Sequence, residues 1–240
     1  MPLADIHSHA LFGVDDGARD LEESLRMLAI SYAEGVRLVC LTPHCNPDMF
    51  PKSTREKTDE NFAVLVRAAQ EKFEDLTLLL GNEMYAFGSS LDTLREGLCR
   101  PLGDGNVVLV EFANDVVFSE LENTLRTLRT LGFRPLIAHA ERYDCLLRSP
   151  ERVRDLVNAR ALIQVNAASV TASLFSKAGR FVRGLLKDGL VHAVASDGHR
   201  ETGRSPHLAA AYKKTVSLCG QSVADDLFYK NPRQLVSPKV

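Results

Sequence analysis

The 240-residue chain, 45% hydrophobic and 25% charged with a formal net charge of -2, has the composition of a globular protein large enough to bury a substantial core. That balance excludes binding to nucleic acid or anionic membrane through an overall field, so any anion site must be local. No apolar run approaches the roughly 20 residues that cross a bilayer, and the N-terminus opens directly into Ala4-Asp5-Ile6-His7 with no leader, so a cytoplasmic location is expected.

Short β-branched and aliphatic runs predict strands near 3–8, 37–42, 76–82, 106–112, 134–138, 161–166 and 190–196. Amphipathic stretches predict helices near 20–34, 54–74, 119–131, 150–159, 173–187 and 206–218. The repeated βα order argues for parallel strands, because a parallel pair needs a crossover and cannot be closed by a tight hairpin. Asp20 and Ser149-Pro150 suit helix starts, and Gly35, Gly132 and Gly189 suit helix ends. No low-complexity linker divides the chain, so residues 1–240 are expected to form a single α/β domain. Segment 84–105 is the least regular, and the chain beyond Asn231-Pro232 reads as a short helix and a loose end.

Two familiar catalytic patterns are absent. Gly179 to Gly184 has P-loop spacing, but Leu185-Leu186 stands where a lysine and a hydroxyl residue are required. None of Cys40, Cys45, Cys99, Cys145 and Cys219 is followed six positions on by the arginine of a phosphate-cradling cysteine loop. Nor do they form a Cys-x-x-Cys pair, so reduced thiols are expected.

The polar residues at the ends of the predicted strands carry more information. His7 and His9, then His44, Glu83, Glu111, His139, Asn166, and finally Asp197 with His199, recur at intervals of about one βα unit. In a barrel of parallel strands such positions converge on one mouth, where the chemistry of these folds resides. Asp5, His7 and His9 share a parity and are expected on one side of their strand. A His-x-His pair alone is more often incidental than ligating, and Asp15-Asp16-Gly17 alone is more often a turn. Glu83 and Glu111 close runs otherwise fit for full burial, so each needs a cationic partner, either an arginine or a metal ion. His192, mid-strand, reads as a satisfied core histidine.

Five histidines with Asp16, Glu83, Glu111 and Asp197 exceed what one ion requires, implying two or three. Mixed imidazole and carboxylate donors without thiolate suit manganese, iron or zinc. Three divalent ions would convert a mouth carrying four carboxylates to about +2, able to attract a phosphate and activate water. Arg142 and Arg204, following the last histidine-bearing strands, are candidates to fork the remaining phosphate oxygens, with solvent-facing loop arginine as the alternative.

Taken together, Asp5-Ile-His-Ser-His, Val14-Asp-Asp-Gly17, Leu41-Thr-Pro-His44, Gly81-Asn-Glu83-Met-Tyr85, Val110-Glu-Phe112, Ala138-His-Ala-Glu-Arg-Tyr143, Gln164-Val-Asn166 and Ala195-Ser-Asp-Gly-His199 resemble the polymerase and histidinol phosphatase (PHP) superfamily. Within it, the chain is most similar to bacterial tyrosine-protein phosphatases of the CpsB/YwqE type, over nearly its whole length and including Asn231-Pro232. The resemblance implies a distorted (β/α)7 TIM-like barrel and a three-metal site preferring manganese. The implied activity is removal of phosphate from a bacterial tyrosine kinase of capsule or exopolysaccharide synthesis. Carried over position by position, the ligands are His7, His9, Asp16, His44, Glu83, Glu111, His139, Asp197 and His199, and the phosphate clamp is Arg142 and Arg204. Asp5, Asn166 and His207 are candidates for supporting roles. Ala10-Leu-Phe-Gly13, Cys45 and Ala140 depart from the commoner pattern without removing a ligand, and they alter the rim that would meet a peptide. The competing readings are a small-molecule phosphatase of the histidinol-phosphatase type, a phosphoesterase on nucleic-acid ends, disfavoured by the absence of basic runs, and a non-catalytic metal-binding scaffold.

Overall fold

The computed structural model describes residues 2–46 and 48–237. Its strands are β1 (Leu3–Ser8), β2 (Val36–Leu41), β3 (His44–Cys45), β4 (Thr77–Leu80), β5 (Glu83–Tyr85), β6 (Val107–Glu111), β7 (Arg134–Ile137), β8 (Leu162–Asn166) and β9 (Ala193–Ala195). The helices are α1 (Leu21–Ala33), α2 (Arg55–Gln70), α3 (Ser90–Arg95), α4 (Phe118–Thr130), α5 (Asp144–Leu147), α6 (Glu151–Asn158), α7 (Ala167–Thr171), α8 (Lys177–Lys187), α9 (Ala209–Cys219), α10 (Gln221–Asp225) and α11 (Asn231–Val236).

Every strand pairing among the described residues is parallel, as the βα alternation requires. The strands form two runs, β1-β2-β4 and β3-β5-β6-β7-β8-β9. They join because β2 continues as β3 past Thr42-Pro43, and β4 continues as β5 past Gly81-Asn82. At the other edge Ser8 bridges Gly198, the Asp197 N–H donates to His7 O at 2.9 Å, and the His9 N–H donates to Gly198 O at 2.8 Å. Seven strand tracks therefore follow one another round a distorted (β/α)7 TIM-like barrel.

The breaks differ from the sequence expectation. Pro43 has no N–H for the ladder, and its carbonyl instead accepts from Glu83 N at 3.2 Å and Asn82 Nδ2 at 2.9 Å. His44 and Glu83 consequently open new short strands instead of closing long ones. The strand expected over 190–196 is only Ala193–Ala195. His192 thus lies before it, half-buried, with Nδ1 accepting from Ile163 N at 3.2 Å. The helix expected from 173 begins at Lys177, and α7 precedes it. The tail is more helical than expected: α10 and a π turn (Asp226–Lys230) lead into α11, and residues 238–240 of the expected loose end lie outside the described residues.

Local chemistry fixes the helix ends. The Asp20 side chain caps α1 by accepting from Glu23 N at 2.8 Å, while Gly35, Gly132 and Gly189 take positive φ just past α1, α4 and α8. On α4, Leu121, Leu125 and Leu128 form a fully buried stripe, each worth about 1.5–3 kcal/mol of removed apolar surface. A smaller core with Ala4, Ile6, Val107, Leu109, Leu235 and Val236 fills the interior, where α11 reaches β1 and the start of β6. The polar side chains occupy the opposite end.

Candidate metal centre

All nine expected donors meet at the C-terminal mouth of the strands. Glu83 is the hub: Oε2 lies 3.2 Å from His7 Nε2, 3.1 Å from His9 Nε2 and 3.3 Å from His44 Nδ1, and Oε1 lies 3.0 Å from His139 Nε2. Glu111 reaches His139 at 3.2 Å and His44 at 3.6 Å. Asp16 stands 3.5 Å from both His44 Nε2 and His199 Nε2. Asp197 Oδ1 is 3.5 Å from His7 and 3.8 Å from His9. These atoms fall into four overlapping sets able to hold a metal ion: His9-Asp16-His44-His199, His7-His9-Asp197, His7-Glu83-His139 and His44-Glu83-Glu111.

The donor atoms fit divalent cations. His7 and His9 point their Nε2 atoms at each other, 3.3 Å apart, an arrangement that suits two lone pairs aimed at one ion. His44 Nδ1 is buried and has no hydrogen-bond partner among the described residues, although carboxylate oxygens surround it. A buried polar atom left so is costly unless something else engages it.

Further residues hold the donors in place, and two of them were not singled out from the sequence. Asp15, whose side chain is fully buried, accepts from His9 Nδ1 at 2.8 Å and from His44 N at 3.0 Å. It thereby fixes which ring nitrogen of His9 faces the cluster. Gly17 is required because a Cβ there would lie 2.0 Å from His9 O. Gln164 Oε1 contacts His7 Nδ1 at 3.1 Å and accepts from His139 N at 2.8 Å; its Nε2 donates to Asn166 Oδ1, and Asn166 Nδ2 donates to Asp197 Oδ2, both at 2.8 Å. A signal existed for each. Asp15 is half of an acidic pair beside His-x-His, and Gln164 is an amide with the parity of Asn166 in an otherwise apolar run. Asp15→Asn is expected to weaken metal binding about 10- to 100-fold, as titration calorimetry with manganese would register; unchanged affinity would deny Asp15 this role.

Asp5 does not face the cluster as its parity suggested. The register of β1 against β2 is irregular between Asp5 and Ser8, and the Asp5 carboxylate accepts from Ser196 N at 3.0 Å and Ser196 Oγ at 2.5 Å. Ser196 Oγ in turn accepts from Gly198 N at 3.0 Å, shaping the turn in which Asp197 takes φ 54. His207 does not join the site either. It is exposed, with Nδ1 2.6 Å from Glu34 Oε1, while Glu34 Oε2 accepts from Leu208 N and Ala209 N at the start of α9.

The charges are strongly biased by their neighbours. Burial alone would lower the pKa of His139, but hydrogen bonds to Glu111 and Glu83 raise it to about 9. Burial likewise disfavours the cation at His9, yet Asp15 and Glu83 hold its pKa well above the usual value. Burial and the neighbouring His9 push His199 down to about 2. Against the effect of burial, His7, His44 and His139 keep Glu83 well below the usual carboxylate range.

A ligating His139 must lose its proton. The affinity for manganese is therefore expected to rise with pH through about 9, with His9 adding to the same dependence, and binding near neutrality should release protons, measurable by calorimetry in buffers of different ionisation enthalpy. In the metal-free protein the sign is opposite. Stability from protonated His139 is fully present below the unfolded pKa of about 6.5 and is lost as pH rises through about 9. A pH-independent affinity would contradict this account.

At the rim, Arg142 Nη2 donates to Asp197 Oδ2 and Arg204 Nη2 donates to Asp197 Oδ1 at 2.8 Å. The Arg204 carbonyl also accepts from His199 N at 2.8 Å, so guanidinium and ligand are tied to one turn.

The chain matches the family described as capsular polysaccharide synthesis, CpsB/CapC, over residues 3–237. It is 36% identical to the tyrosine-protein phosphatase CpsB of Streptococcus pneumoniae, over 98% of each chain. It is 30% identical to the tyrosine-protein phosphatase YwqE of Bacillus subtilis strain 168, over 87% of this chain and 82% of that one. A solved structure from work on YwqE of Bacillus subtilis and CpsB of Streptococcus pneumoniae, described as unique metal-dependent tyrosine phosphatases, superposes with a TM-score of 0.89 at 27% identity. The superposition covers 98% of this chain and 94% of that one. With its barrel, its donor cluster and this coverage, the chain belongs to the CpsB/CapC family of capsular polysaccharide synthesis.

Proposed function

We propose that this protein is a metal-dependent protein-tyrosine-phosphate phosphatase of capsule or exopolysaccharide synthesis, acting in the cytoplasm on a bacterial tyrosine kinase. The observation that carries the reading is the convergence of four overlapping donor sets on one mouth, with two arginines at its rim. His7, His9, Asp16, His44, Glu83, Glu111, His139, Asp197 and His199 would hold two or three divalent ions. Imidazole and carboxylate donors without thiolate favour manganese, with iron or zinc as substitutes.

Bound ions supply the positive charge that offsets four carboxylates, and they activate water as the nucleophile. The chain itself supplies orientation. Asp15 and Gln164 fix the His9 and His7 rings, and Arg142 and Arg204 present paired N–H donors suited to phosphate oxygens. Asp197 keeps both guanidiniums poised at the rim before substrate arrives. A phenol leaving group, with pKa about 10, needs less protonation than an aliphatic alcohol, which favours aryl phosphates.

The test is turnover by the manganese-loaded protein of a phosphotyrosine peptide, a phosphoserine peptide and histidinol phosphate. Preference for phosphotyrosine is expected. Preference for histidinol phosphate would indicate a small-molecule phosphatase, and no turnover of any of them would indicate a metal-binding scaffold.

A further inference from the structure

The two sides of the mouth differ in chemistry. Arg142 and Arg204 stand on the β7 and β9 side, both on Asp197. The segments that follow β3 and β5 carry Met49, Phe50 and Phe87 instead. The Phe50 ring stacks on His44 with centroids 4.3 Å apart and planes at 16°. Phe87 and Met49 are 64% and 50% exposed, an unfavourable use of large apolar side chains unless something covers them. The two segments are joined, since Asn46 Nδ2 donates to Phe87 O at 3.5 Å.

Phe50 also walls a cavity of about 210 Å³, lined with Cys45, Pro51, Thr93 and Leu98. Among the described residues its lining holds one cation, Arg55, which already donates to Gly97 O, and no acidic side chain. Leu98, 44% exposed, stands at its edge. One aromatic ring therefore touches a candidate metal ligand on one side and bounds an apolar hollow on the other.

We propose that this wall and hollow bind a large apolar side chain flanking the phosphotyrosine of the substrate protein, so that they set sequence preference. The inference rests on the phosphotyrosine reading. It also orients the substrate: the phosphate lies toward Arg142 and Arg204, and the polypeptide leaves across Phe50, Met49 and Phe87. The occupant follows from continuity with the mouth, because a peptide whose phosphate reaches the donor cluster must cross its rim, and on this side the rim exposes Met49 and Phe87, with Asp48 beside Gly88 as its acidic neighbour.

The experiment compares two phosphotyrosine peptides, with leucine or with serine at the flanking positions, alongside phenyl phosphate, on the manganese-loaded protein. Non-hydrolysable phosphonate analogues of both peptides give dissociation constants independently of turnover. The leucine peptide is expected to have about a tenfold lower KM and dissociation constant than the serine peptide at similar kcat, as burial of part of one apolar side chain provides. Phe87→Ala and Leu98→Asp, both at exposed positions, are expected to erase that preference. Val64→Ser, on the outer face of α2, should keep it. Equal constants for the two peptides, or a preference that survives both rim substitutions, would overturn the docking surface alone. Failure of the wild-type protein to hydrolyse either peptide or phenyl phosphate would overturn the phosphotyrosine reading, and the docking proposal with it.

Discussion

Glu83→Gln is expected to lower kcat/KM for a phosphotyrosine peptide by on the order of 10³-fold and to reduce the number of bound ions. The carboxylate belongs to two of the four donor sets and approaches His7, His9, His44 and His139 within 3.0–3.3 Å, more imidazoles than any other carboxylate of the site. Glutamine preserves the volume but removes the charge, and its amide group turns one acceptor into a donor facing imidazoles. His139 and His9 then lose the partner that helps sustain their charge in the metal-free protein, and the loaded protein loses a shared anionic ligand. Metal analysis after gel filtration, paired with steady-state kinetics, separates the two consequences. Full metal content with activity within tenfold of wild type would show that Glu83 is not the hub its distances indicate.

The same carboxylate illustrates why much of the site was legible in the sequence. An ionised group at the end of a run such as Leu78-Leu79-Leu80 cannot remain buried without a counter-charge, so its position alone announced a partner. Parallel topology did the rest, bringing strand ends that are distant along the chain to one mouth. Reading by parity failed where the backbone is irregular: the register change between Asp5 and Ser8 turns Asp5 toward Ser196. The expected strands 37–42 and 76–82 stop near Pro43 and Gly81, but hydrophobicity did not show that each chain segment resumes beyond the break, as β3 and β5. Asp15 and Gln164 were harder to single out because their partners, the His9 and His7 rings and the backbone N–H groups of His44 and His139, lie elsewhere along the chain, so the acidic pair and the shared parity with Asn166 gave only a local signal. His207 misled by proximity along the chain, since its nearest carboxylate, Glu34, belongs to the end of α1.

Arg142→Ala and Arg204→Ala are each expected to cost roughly 10²–10³-fold in kcat/KM for phosphotyrosine peptide, as loss of a preorganised donor to a reacting oxyanion does. Both guanidiniums rest on the two oxygens of a single carboxylate, Asp197, so they converge on a region small enough for one phosphoryl group. Arg204 is 46% exposed and Arg142 is 32% exposed, which places Arg142 nearer Glu111, at 4.0 Å, and makes its removal the more disturbing to the apo cluster. Lysine should restore only part of either loss, because a point charge cannot fork across two oxygens. The double variant discriminates between a shared clamp and two separate contacts. If both arginines hold one phosphoryl group, the first removal already loosens it and the second adds less than its own single effect. Kinetics of the two single variants and the double variant, each loaded with manganese to wild-type content, measure that coupling. Fully additive losses would mean that the arginines act at independent places, one of them away from the phosphate.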